Sequence, residues 1–466
     1  MVAIPFPLSS SPGRRPNESQ GRLINCYSER QGDADRWRRA PGLRAFADLG
    51  HPTVRGSILV GNLLYVAVED HVVTVDAAAN VTELSGSVDG SGPVTWAQNN
   101  KSPTPDIMLV SGNGVYTVTS TAVTPFSNTD LPAPNSVSFL DGYFLFSIGD
   151  GRVFASGLND TTIDALSFAR CEAKPDGLLR GIVTSGAWYG CGPSTIEVWN
   201  DAGTSPFPLA RVAVIPIGIA GPLAISGFED GWDLSPIFVA SDGTVRQLNG
   251  YQPLRISTYD VERDIEGVAD KSTLEACVFT AAGNAMWALS SDSWTWVYNT
   301  TNGRWHERRS YGGARWRAGR MVRAFGKWLA GDTQSNSLLE VTEQAQREVD
   351  QPLVARIESA PIKSFPARMQ VPATYFDFTV GLGDERGIDP IETEPQVMIA
   401  WSDDGSATWA TPLNRSLGRQ GESKKQVFVR RTGLTSTAGR TWRLDISDPV
   451  DFTLIGGECG VNPKKP

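Results

Sequence analysis

Apolar residues along this chain almost never recur with a helical spacing of three to four. Instead they cluster in short runs of β-branched and aromatic residues, such as Leu63-Leu-Tyr-Val-Ala-Val68, Ile107-Met-Leu-Val110 and Tyr143-Phe-Leu-Phe-Ser-Ile148. Such residues fit a pleated surface, and each run is ended by Gly, Asn, Asp or Pro. Gly112-Asn113-Gly114, Asp141-Gly142, Asp150-Gly151, Asp242-Gly243 and Asn302-Gly303 supply the positive-φ-tolerant pairs that tight hairpins require. The pattern predicts an all-β protein.

The strands recur with a period. Units begin near Arg55, Pro93, Asn135, Leu178, Gly218 and Thr273, with a further start at Arg315. The spacing averages about 40 residues, the length of one four-stranded propeller blade. The segment Trp296-Val-Tyr-Asn-Thr-Thr-Asn-Gly-Arg-Trp305 resembles the aromatic-turn-Trp pattern of kelch-type blades. We therefore expect a β-propeller of six or seven blades, in which each sheet buries its faces against its neighbours and leaves only short edges. A large sandwich or stacked barrels are the competing arrangements. After Glu348 the texture changes: Pro352, Pro361, Pro366, Pro372, Pro390 and Pro395 interrupt the chain, and Gln396–Trp401, Lys425–Arg430 and Thr441–Ile446 read as strands of a small β-sandwich. The expected division is an N-terminal arm with its first strand or strands (1–50), a propeller (51–345) and a C-terminal β-sandwich-like domain (346–466).

The 466 residues carry a formal net charge of -9, from 42 Lys and Arg against 51 Asp and Glu. That balance disfavours a dedicated duplex-DNA binder, whose affinity comes from clustered cations releasing counterions, while leaving room for transient non-specific contact with DNA. Cys26, Cys171, Cys191, Cys277 and Cys459 are odd in number and widely spaced, which indicates neither a disulfide framework nor a zinc site and suits a reducing cytoplasm. Pro5 and Pro7 break the N-terminal apolar run, so it does not read as a secretory signal. The uncharged stretch 212–228 is interrupted by Pro and Gly and too short for a membrane-spanning helix, so no membrane insertion is expected.

Candidate chemistry is sparse. The only histidines, His51, His71 and His306, form no motif with metal-ligand or triad spacing, and neither a P-loop nor a nucleophile elbow is present. Asp33/Asp35, Asp403/Asp404 and Glu262/Asp264 read as solvated turn carboxylates. Ser402-Asp-Asp-Gly-Ser-Ala-Thr-Trp409 approaches the Asp-box of sialidase-like propellers, itself a turn device. No catalytic residue, cofactor or metal site is assigned, and an enzymatic role is not expected. The salient charge feature is the stretch 301–330, where eight basic residues face the single acid Glu307 and alternate with Trp305, Tyr311, Trp316, Phe325 and Trp328. Arg, Trp and Tyr dominate protein–protein hot spots, and the same mixture can stack on nucleic acid. The interface candidates are Arg304, Trp305, Arg308, Arg309, Arg315, Trp316 and Arg317, with Arg14, Arg15, Arg36, Trp37, Arg38 and Arg39 in an N-terminal arm expected to order on docking.

Several segments carry a family resemblance. Leu23-Ile-Asn-Cys-Tyr-Ser-Glu29 and Arg39-Ala-Pro-Gly-Leu-Arg-Ala-Phe46 at the start, then Lys174-Pro-Asp-Gly-Leu-Leu179, Gly192-Pro-Ser-Thr-Ile-Glu-Val-Trp199 and Gly218-Ile-Ala-Gly221, and finally Ser402-Asp-Asp-Gly405, Arg430-Arg431 and Ser447-Asp-Pro-Val-Asp-Phe-Thr-Leu454 resemble the packaged-DNA stabilisation proteins, the tail hubs or nozzles of short-tailed bacteriophages. The stretches near 80–135 and 260–330 match that family poorly. The resemblance implies a non-catalytic virion protein, assembled in the host cytoplasm. It would form a homo-hexameric ring below the portal and its adaptor protein, with a tail fibre or tailspike outside and a needle or plug inside the channel. The alternative is a carbohydrate-binding or sialidase-like propeller on the phage tail.

Overall fold

In the computed structural model, which describes residues 1–112 and 114–464, the chain is a succession of antiparallel β-meanders with, among the described residues, a two-turn helix at Tyr259–Glu266 and a one-turn helix at Pro390–Thr393. The turn at Asn113 lies outside the described residues. Two compact units are present. Unit one comprises residues 1–44, 280–316 and 342–466; unit two comprises 45–279 and 317–341.

Unit two holds five complete four-stranded meanders, opening with the strands Val54–Val60, Val94–Gln98, Pro134–Leu140, Arg180–Thr184 and Ile225–Ser226. The first four openings lie within two residues of a start expected from the period, and the fifth lies seven residues beyond its expected start at Gly218. A further sheet follows Ala318–Ala324, Lys327–Asp332 and Ser337–Thr342 with Gly42–Asp48, so an N-terminal strand supplies the fourth position of the last blade. The intervening meander opens with Glu275–Ala281, within which the chain passes from unit two to unit one. Seven meanders therefore succeed one another along the chain.

The hydrophobic runs owe their continuity to burial on both faces. On the strand Leu63–Val68, Leu64, Val66 and Val68 pack with Leu329 and Leu338 of the last blade, while Tyr65 and Ala67 pack with Leu109 and Val118 of the second. The same alternation repeats, with Met108 and Val110 against Phe144 and Phe146, and Leu145 and Val153 against Trp188 and Trp199. A period of two with apolar residues on both faces gives one thin core between each pair of blades.

Unit one is a two-sheet sandwich. One sheet runs in the order Cys26–Gln31, Ala34–Arg39, Thr453–Cys459, Ala373–Phe378, Val427–Arg430; the other includes Arg304–Arg308, Arg22–Ile24, Ala355–Glu358, Thr441–Ile446, Gln396–Ser402 and Leu413–Ser416. Phe376, Val429 and Leu454 from the first share a core with Leu23, Ile357, Ile399 and Trp442 from the second. The N-terminal segment is thus no free arm. It contains regular strands held by pairing with the far end of the chain, Trp37 opposite Leu454 and Leu23 opposite Ile357. Local pattern could not show this, because the partners lie hundreds of residues away.

Candidate interaction surfaces and the propeller axis

The basic and aromatic candidates do not form one exposed stripe. Trp37, Arg39, Trp305, Arg308, Trp316 and Arg317 are buried, which corrects their reading as surface residues. In unit one, Arg39 donates to four backbone carbonyls, those of Gln346 (3.0 Å), Leu353 (3.0 Å), Ile446 (3.1 Å) and Asp448 (2.8 Å). Burial lowers its pKa to about 10. Arg308 lies 4.4 Å over the Trp316 ring and pairs with Glu348 at 3.2 Å, and the Trp316 indole donates to the same carboxylate at 3.0 Å. Trp305 packs among Trp287, Trp296 and Tyr298. In unit two, Arg317 pairs with the buried Asp332. These cations are internal clamps: their terminal nitrogens are matched by carbonyls and carboxylates, as burial of a guanidinium requires, while the Nε of Arg39 and of Arg308 is buried without a hydrogen-bond partner.

The remaining candidates differ in access. Arg14, Arg15 and Arg309 are exposed. Arg36, Arg38, Arg304 and Arg315 are partly covered, with Arg38 held by Glu29 at 2.9 Å, Arg304 by Asp35 at 2.8 Å, Arg36 on the Asp35 carbonyl and Arg315 on that of Trp316. Other exposed groups went unnoticed in the sequence. Outer strands of the third to fifth blades present Leu166, Val212, Val214 and Leu254, each between 41% and 67% exposed. Alternation was the available signal in Leu209–Ile215, where Leu209 and Ile215 point inward and Val212 and Val214 outward.

The three central motifs of the family resemblance converge in unit two. The Ser194 amide donates to Asp176 at 2.8 Å, the Ile219 amide to the Gly192 carbonyl at 3.0 Å, and the buried Glu197 accepts from Ala173 (2.7 Å) and Arg211 (3.2 Å). A Cβ on Gly218 would stand 2.2 Å from the Pro193 carbonyl carbon. Only glycine permits that approach, so these motifs encode the joint between the fourth and fifth blades.

First strands of six of the seven meanders, all but Pro134–Leu140, contribute to the lining of a cavity of about 170 Å³ in unit two. Arg55, Arg180, Arg320, Glu229 and Glu275 face it. Burial depresses the Arg180 pKa, and the guanidinium sits 4.9 Å over Phe228; burial also raises Glu229, which accepts the Gly227 and Phe228 amides. At about 30 Å³ per water, this cavity has room for a few waters.

The Asp-box-like segment behaves as a turn. Asp404 accepts from Ser402 and from the Ala407 and Thr408 amides, and the Thr408 hydroxyl and amide are the foremost of the hydrogen bonds that lower its pKa to about 2. Two of the three histidines meet: the His51 and His71 rings stack at 4.1 Å beside Glu83. Among the described residues, no helix is long and apolar enough to cross a membrane.

Compared with solved structures, the chain is similar to the WD40 β-propeller domain of Doa1 (13% identity, 65% of this chain and 96% of that one, TM-score 0.41). It is also similar to BamB from Moraxella catarrhalis (12%, 68% and 93%, 0.40) and to the C-terminal WD40 domain of Sif2 (14%, 73% and 97%, 0.41). No curated protein sequence matches it. Residues 27–346 match the phage stabilisation family described as bacteriophage P22 Gp10, beta-propeller, and this chain belongs to that family.

Proposed function

We propose that the chain is a non-enzymatic virion protein of a short-tailed phage. In this reading it is the tail hub or nozzle that extends and closes the portal channel below the adaptor ring, retains packaged DNA and conducts it at ejection. The observation that carries the reading is the family match across the propeller. The blade edges support it. Leu166, Val212, Val214 and Leu254 give outer strands an apolar surface of the kind that another protein covers, whereas solvated edges are usually charged. The partners proposed are five further copies in a closed ring, the adaptor, a tail fibre or tailspike, and a needle or plug, with transient contact to the genome. In this reading the DNA conduit runs between subunits, and the net charge of -9 would let phosphates slide past without sticking.

The test is nuclease-protected DNA in heads assembled with and without the chain. Leakage rescued by the purified protein is the expected result. Full retention without it, or turnover of host polysaccharide by it, would overturn the proposal in favour of a receptor-binding or carbohydrate-active role.

A further inference from the structure

Within unit two, His51 lies in the connection between the strands Gly42–Asp48 and Val54–Val60, His71 opens the third strand of the first blade, and Glu83 ends the fourth. Their ligand atoms all fall within 4.8 Å of one another. The Glu83 carboxylate bridges the two rings, one oxygen 2.8 Å from His71 Nδ1 and the other 3.5 Å from His51 Nε2. Ligands bound at 2.0–2.1 Å in a tetrahedron stand about 3.3 Å apart, and these separations bracket that edge.

The outer nitrogens complete the pattern. His71 Nε2 lies 3.1 Å from Asp70 Oδ1, and His51 Nδ1 lies 3.8 Å from Glu69 Oε2. Metal-bound imidazoles commonly give their other N–H to a carboxylate, which fixes the tautomer and strengthens the ligand. Here each histidine has one nitrogen toward Glu83 and the other toward a second carboxylate. The backbone frame is already held, the Glu69 amide donating to Thr53 O (3.3 Å) and the Leu84 amide to Val72 O (2.9 Å) and so tying the His51 loop and the Glu83 strand to one hairpin, while the two rings stack at 4.1 Å and 18°, so that binding turns one imidazole until both lone pairs meet the ion. All the side chains keep a quarter or more of their surface exposed, so an ion has access from solution.

We propose that His51, His71 and Glu83 bind a divalent transition-metal ion, with zinc the best match to two imidazoles and a carboxylate, and water filling the fourth position. Bound there, the ion would pin the connection between the closing strand of the last blade and the first strand of the first blade, reinforcing the seam of the propeller. The proposal is independent of any role in the virion.

The test is calorimetric titration of the full chain, free of any polyhistidine tag, with zinc, alongside the visible absorption of added cobalt. One equivalent per chain is expected, with a tetrahedral cobalt spectrum and a zinc-dependent rise in unfolding temperature. His71→Ala and Glu83→Gln should each abolish the cobalt spectrum, and Asp70→Asn should weaken binding about tenfold to a hundredfold. Circular dichroism confirms that each variant is folded. Absence of binding at millimolar zinc, or unchanged binding and spectrum in the His51→Ala/His71→Ala double variant, would overturn the proposal.

Discussion

Arg39 separates the two ways of reading a basic residue in this chain. As an interface residue it would matter for assembly alone; as a buried clamp it matters for folding of the isolated chain. Arg39→Met keeps most of the apolar stem and removes the guanidinium. Hydrogen bonds to a charged group contribute roughly 1.5–3 kcal/mol each, so the four to the Gln346, Leu353, Ile446 and Asp448 carbonyls total about 6–12 kcal/mol. Burial holds the Arg39 pKa down at about 10 from 12.5, a cost that the per-bond range, being net of solvation, already includes. The Gln346 and Asp448 contacts are part-buried, so their carbonyls recover water in the variant, and we expect a net loss of about 4 kcal/mol. For a unit of this size, about 2–4 °C per kcal/mol gives a fall of roughly 8–16 °C in the unfolding midpoint of unit one, measured by scanning calorimetry on the monomeric chain. Arg39→Lys should fall between, because an ammonium has three donors at one point and cannot reach carbonyls on both sides of the fork. Arg14→Ala, at an exposed position, is the control. A fall below about 2 °C for Arg39→Met, the range of an ordinary surface change, would refute the reasoning.

Three further outcomes follow from other buried groups. Asp332→Ala should destabilise unit two by about 3–5 kcal/mol in urea unfolding, since it strands the Arg317 cation, whereas Arg317→Met/Asp332→Leu should recover much of the loss. Burial pushes the His306 pKa down to about 3 from 6.5, so the unfolded chain binds a proton between those values that the folded chain does not. Stability should therefore fall as pH drops below 6.5, by about 1.4 kcal/mol per pH unit relative to His306→Gln, and a parallel pH dependence in the two proteins would contradict this. Gly218→Ala should lower the yield of folded protein and the melting temperature of unit two, because its Cβ meets the Pro193–Gly192 backbone; a wild-type melting curve would show that the joint can give way.

Much of the architecture is written locally. Strands such as Leu63–Val68 and Tyr143–Ile148 follow from β-branched and aromatic content bounded by turn residues, and the blade starts expected near Arg55, Pro93 and Asn135 fall beside strands opening at Val54, Val94 and Pro134. The fifth blade was placed less well, with Gly218 seven residues ahead of Ile225, because the Pro- and Gly-rich approach is used for the joint with the fourth blade instead of for a strand. The expected division at 50 and 345 is continuous, whereas the compact units are not: residues 1–44 and 280–316 group with 342–466.

Pattern, period and turn chemistry are properties of neighbouring residues, so the sequence alone determined an all-β chain of repeated four-stranded meanders, and its motifs pointed to the family. Which cations lie on the surface was decided only in three dimensions. Arg308 becomes internal because Glu348 and Trp316 arrive beside it, and Arg39 because carbonyls more than 300 residues away converge on it. The same holds for His51, His71 and Glu83, whose spacings fit no ligand motif and whose meeting depends on one hairpin and the loop folded against it. A charged side chain carries the same local signature whether it ends in water or in a clamp; burial and pairing belong to long-range contacts, and those exist only once the chain has closed on itself.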